Sequence, residues 1–163
     1  MSEQGSEVMA VEVLETADIG GTDTSAVGNW ATWLDMQDFD RVTAVVEVGA
    51  WNAADDVDTC KLQQATSAAG AGAKDLTTSG AGLDYDTGAP VDADGDQVIL
   101  EARADQLDAQ NGFRYVRVLV AETGNTGVDN VSGVIVRHGP HYGRANLHKE
   151  PVAASIVYVR PSA

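Results

Sequence analysis

Runs in which apolar and polar residues alternate at every second position recur along this chain, each bounded by Gly, Asn, Asp or Ser. A period of two belongs to a strand with one covered face. The clearest run is Phe113–Val120, where Val116, Val118 and Val120 share one face and Tyr115, Arg117 and Leu119 the other. Asn111-Gly112 just upstream supplies the positive φ angles of a tight turn, so this strand has a defined start, and Glu122–Gly127 reads as the loop that ends it. Arg41–Val48 puts Val42, Ala44, Val46 and Val48 on one face and is expected to be central. Residues 57–66 set Asp58, Cys60, Leu62 and Gln64 opposite Val57, Thr59, Lys61 and Gln63. Val8–Leu14, Gln97–Arg103, Val131–Arg137 and Val152–Val159 are further strands. The one at 131–137 is expected to return antiparallel to 113–120.

Between these runs the chain is rich in turn formers. Asp18–Asn29 reads as a loop and Trp51–Asp56 as a turn. Trp30–Met36 is expected to be extended, with one indole buried and one on a surface, because Asn29, Thr32 and Asp35 make a poor helix. Residues 67–82 form a Gly/Ala-rich stretch without an apolar face, expected to be flexible and to hold only a short edge strand near Lys74–Leu76. Asp94-Gly95 suits a hairpin, Asp105–Asp108 a short helical turn, and 138–151 a His-containing loop. About eight short strands without a convincing helix predict an all-β fold: an antiparallel, jelly-roll-like β-sandwich with long Gly/Ala-rich and His-containing loops. Residues 1–8 are read as a polar arm and 9–163 as a single β-sandwich domain.

Composition narrows the picture. At 163 residues the chain can bury a self-sufficient core, which must be built from Val, Ile, Leu and Ala because Phe and Tyr number only two and four. Its single cysteine, Cys60, excludes an intrachain disulfide, and with no base near it in sequence it reads as a small buried hydrophobe. The net charge of −15 opposes direct contact with nucleic acid or an anionic membrane, so a partner surface should be neutral or basic. The N-terminus has no basic, apolar leader pattern and no apolar run is long enough to span a bilayer, so the expectation is a soluble protein made in the cytoplasm.

Candidate chemistry is sparse. All three histidines, His138, His141 and His148, fall in one stretch and could hold a divalent metal if it folded back on itself, with Glu150 as the nearest acidic ligand. A protein contact is the stronger reading of that loop. Asp92, Asp94 and Asp96 invite calcium, but Gln97 stands where an EF-hand needs Gly and Arg103 where it needs Glu, which leaves a solvated turn. Gly70–Lys74 lacks the spacing of a phosphate-binding loop, and no Gly-x-Ser-x-Gly elbow exists. No catalytic, cofactor-binding or metal-binding residue is therefore assigned, and the protein is read as a non-enzyme.

Trp33-Leu34-Asp35-Met36 running into Phe39–Val42 and a valine strand ending at Gly49, Lys61–Thr66, Gly70–Leu76, Asp105–Asp108 and Gly112–Val116 together resemble small virion proteins of tailed bacteriophages, the capsid decoration or cement type in particular. The resemblance covers about residues 30–120 through strand-and-turn patterns without a chemical signature. It implies a β-rich subunit, commonly trimeric, that binds the major capsid protein on the outer head surface and reinforces it. The virion, after synthesis in the host cytoplasm, would be its location. Tail-tube subunits use comparable β architectures and form one alternative; a carbohydrate-binding β-sandwich with Trp30, Trp33 or Trp51 as stacking platform is another.

Overall fold

A computed structural model describes residues 9–19, 28–50, 56–76, 94–123 and 127–140. Among them run eight strands: β1 (Ala10–Asp18), β2 (Leu34–Asp35), β3 (Phe39–Val48), β4 (Asp56–Ala65), β5 (Lys74–Asp75), β6 (Gln97–Arg103), β7 (Tyr115–Thr123) and β8 (Asn130–Pro140). They make two four-stranded sheets, in the orders β1-β8-β3-β6 and β2-β7-β4-β5. Every pair is antiparallel. The pairings β1 with β8, β2 with β7, β3 with β6 and β4 with β5 describe one long two-stranded ribbon bent back on itself. Rolling that ribbon up adds the β3–β8 and β4–β7 pairs and yields the jelly-roll order. The expected antiparallel sandwich is the observed one.

Three expectations about the elements and their pairing need correction. Residues 131–137 do not return along 113–120, because β4 occupies one edge of β7 and β2 the start of the other, and β8 instead lies between β1 and β3 in the opposite sheet. Trp30 is not extended: Gly28–Ala31 is a 3-10 turn, and the extended backbone begins only near β2. His138 lies in β8 and not in a loop, since that strand runs on to Pro140. The predicted arm at 1–8, the turn residues 51–55, and the strand at 152–159 lie outside the described residues.

The core follows from alternation. Val42, Ala44, Val46 and Val48 of β3, Cys60 and Leu62 of β4, Val98, Leu100 and Ala102 of β6, and Val116, Val118 and Val120 of β7 all point between the sheets. Each such aliphatic side chain contributes about 1.5–3 kcal/mol on burial. Val57 is buried on the same side as Cys60 although alternation sets it opposite, because the β4–β7 register slips between Val57 and Thr59. Gln64, also inward, is satisfied by accepting the Asp108 backbone N–H at 2.9 Å.

Arg137 is the core's buried cation: its Nη1 donates to the Asp35 carbonyl at 2.7 Å and its guanidinium sits 4.8 Å from the centre of the Phe39 ring. This side chain ties β8 of one sheet to β2 of the other. Cys60 is fully buried, and burial pushes its thiol up to about 12. At pH 8 only about one thiol in ten thousand is then ionised, so a disulfide reagent should label the folded protein at a vanishing rate and react fully only in denaturant. Prompt stoichiometric labelling of the native chain would contradict the packing described.

The ribbon's tip is the Gly/Ala-rich stretch, and at 66–73 it is a hydrogen-bonded turn. Thr66 donates its backbone N–H to the Ala71 carbonyl at 2.9 Å, and the Ser67 hydroxyl oxygen accepts from the amides of Ala69 and Ala71 at 3.2 Å each. Gly70 has φ +77, and a β-carbon there would stand 2.5 Å from Trp33 Nε1. Glycine is required on both counts. Trp33 is buried on the outside of the second sheet, between this turn and the Arg117 guanidinium, 4.6 Å from the ring centre. Residues 77–82 lie outside the described part.

Ion pairs lace the tip to the body: Lys61 Nζ to Asp75 at 2.8 Å and Lys74 Nζ to Asp108 at 2.6 Å. Burial alone would raise the Asp75 carboxyl, but hydrogen bonds from Gln63 and Lys61 and the Lys61 charge outweigh it and leave it below its ordinary value. Hydrogen bonds from Lys74 and Asn111 lower Asp108 likewise. A carboxyl lowered by folding stabilises the fold above its unfolded value, near pH 4, and loses that contribution as pH falls through the folded value. NMR titration should therefore find Asp75 and Asp108 protonating at lower pH than free aspartate, with tip amides exchanging faster once they do. Midpoints at or above the free value would refute these contacts.

Candidate functional site

Alternation that fills the core with Val42, Ala44, Val46 and Val48 leaves Arg41, Thr43, Val45 and Glu47 on the outer side of the first sheet. Register carries this pattern sideways. Arg41 stands beside His138 and Arg103, Thr43 beside Val136 and Glu101, Val45 beside Val134 and Ile99, and Glu47 beside Ser132 and Gln97. Beyond β8, Val11 stands beside Val136 and Val13 beside Val134. The face is thus a set of rungs: cationic at Arg41 and Arg103, mixed at Thr43, apolar from Val13 through Val134 and Val45 to Ile99, and polar with a carboxylate at Glu47.

The apolar rung crosses all four strands and meets water. Val13 is 60% exposed and Ile99 63%, with Val45 and Val134 partly covered between them. Isolated surface hydrophobes are ordinary, whereas these four adjoin in one continuous rung on a chain of net charge −15. At the cationic end, Arg41, Thr43, Glu101, Arg103 and Gln106 line an open cleft of about 370 Å³. The Thr43 hydroxyl donates to Glu101 Oε1 at 3.4 Å and lies 3.3 Å from His138 Nε2. Arg103 would repel Arg41 across the strand pair, and it turns its Nε to Asp105 Oδ1 at 3.0 Å. The carboxylate here sits on the hydroxyl and not on the far nitrogen of the imidazole, which is not the order that activates a nucleophile. What the cleft offers is hydrogen bonding and positive charge beside an apolar stripe.

Of the residues singled out in the sequence, His138 joins this face, whereas His141 and His148 lie outside the described residues. The Asp94–Asp96 turn docks on the end of β3: Gly95, at φ +89, donates its N–H to the Val48 carbonyl at 2.8 Å, and Asp96 accepts the Val48 N–H at 2.9 Å. Asp92 is outside the described residues, among which no group of three His, Cys, Asp or Glu side chains is placed to hold a metal. Trp30 and Trp33 are both buried, so neither offers a ring for stacking, and Trp51 lies outside the described part. Reading each strand for a single core face leaves the apolar rung out. The sequence nonetheless carries its signal: Ala44-Val45-Val46, Val98-Ile99-Leu100 and Val134-Ile135-Val136 are apolar on both faces.

No family model, curated protein or solved structure matches the chain.

Proposed function

We propose that the chain is a non-enzymatic structural subunit of a tailed-phage virion, a decoration protein that binds the outer capsid lattice and stabilises the head. The observation that carries this reading is the apolar rung on the outer face of the first sheet, a surface for contact with a neighbouring subunit of a shell. The jelly-roll order supports it at the level of fold analogy, since viral shell subunits use this architecture, as do lectins and cupins. Contacts with the capsid protein fall to the stiff, small-residue tip at 66–73 and to residues 1–8 and 141–150. A preorganised tip loses little entropy on docking.

The test is co-sedimentation of the purified chain with capsids that lack it. Saturable binding at lattice stoichiometry, with capsids that then survive heating better, is the expected result. Absence of binding together with self-assembly into rings or tubes would overturn the decoration reading in favour of a tail-tube subunit.

A further inference from the structure

The outer face of the first sheet is complementary in charge to itself, and we infer that it pairs two copies of this chain face to face about a two-fold axis perpendicular to the strands. The inference rests on the reading of that face as a protein contact and names the partner as a second copy.

Such an axis, set midway between the Thr43 and Val45 rungs, reverses the strand direction and keeps each strand over its own counterpart. Arg41 of one copy then lies over Glu47 of the other, twice per dimer, while Val45 meets Thr43, Val134 meets Val136, Val13 meets Val11 and, on the edge strand, Ile99 meets Glu101 and Arg103 meets Gln97. The alternative axis, along the strands, would stack Arg41 on His138 and bring the two cationic rungs together. Charge therefore selects the first arrangement. Strands about 4.8 Å apart and rungs about 6.7 Å apart give a face of roughly 400–500 Å² per copy. The two copies together would bury about 800–1,000 Å², below the range of stable specific interfaces and in that of weak, transient ones, so the free protein should pair weakly and reversibly. Crowding on a lattice raises the effective concentration and would drive the same contact to completion.

Sedimentation velocity of the full chain from about 10 µM to 1 mM, at 0.15 M salt where the Debye length is about 8 Å and the net −15 is screened between bodies, reads the association directly. The expected result is a rise from monomer to dimer. Ile99→Glu, at a position already facing water, should leave thermal unfolding unchanged and weaken pairing at least about 10-fold, the equivalent of one decade in dissociation constant. Arg41→Glu and Glu47→Arg should each weaken pairing alone. An equimolar mixture of those two variants should recover it, because each copy then offers the charges the other needs at both contacts. A wild-type chain that stays monomeric at 1 mM, an assembly indifferent to Ile99→Glu, or a variant mixture that fails to recover would overturn the inference. Capsid binding is scored separately: its loss with pairing intact rejects the decoration role alone, and its persistence without pairing rejects the two-fold contact alone.

Discussion

Trp30→Ala lowers the unfolding free energy by about 3–5 kcal/mol, the range for emptying a fully packed aromatic site. Trp30 is 2% exposed and belongs to the main core, yet its larger role lies at the irregularity in β1. The β1–β8 register shifts between Leu14 and Ala17, and at this irregularity Glu15 is served by the 3-10 turn. The Glu15 N–H donates to Asn29 Oδ1 at 3.1 Å, and the Glu15 carbonyl accepts Trp30 Nε1–H at 2.7 Å. Alanine thus opens a cavity and orphans a carbonyl together. Trp30→Phe retains most of the volume and should cost only the unmade hydrogen bond, about 1–3 kcal/mol. Urea unfolding curves rank the two, and a Trp30→Ala loss below about 1 kcal/mol would show that the ring is not packed as described.

Gly133→Ala comes next, at about 2–3 kcal/mol, as overpacking of a close-packed interior. A β-carbon at Gly133 would sit 2.6 Å from the Val45 carbonyl oxygen and 3.4 Å from Val46 Cα. Both are backbone atoms of the neighbouring central strand, so relief requires β3 and β8 to separate where Gly133 pairs with Val46 and Leu14. Gly95→Ala is the control, with nothing within 4 Å of its β-carbon and only its φ of +89 to strain, for about 1–2 kcal/mol. Equal losses for the two would remove the steric account. Because Val45 lies on the outer apolar rung, Gly133→Ala should also weaken the proposed pairing.

Local patterning made the strands legible. The inward sets on β3, β6 and β7 needed no more than period two, and even the two-residue β5 could be anticipated between turn formers. Position along the chain was a poor guide to partners. β8 follows β7 in sequence but pairs with β1 and β3, and register and sheet choice depend on which edges distant strands have already taken. The turn at 66–73 was hidden for a similar reason: its glycines look like slack until Trp33, over thirty residues earlier, is placed against Gly70.

By itself the sequence determined the class of fold, the inward faces of β3 and β7, the inert Cys60 and the weight of negative charge, since each depends on neighbours two positions apart or on sums over the chain. Only the tertiary structure decided which outer faces adjoin. Arg41, Ile99, Val134 and Val13 carry no common motif and come from four strands, and antiparallel register alone aligns them into rungs. A surface made of strand neighbours is a property of pairing, and pairing is settled by long-range closure of the ribbon rather than by any local run of residues.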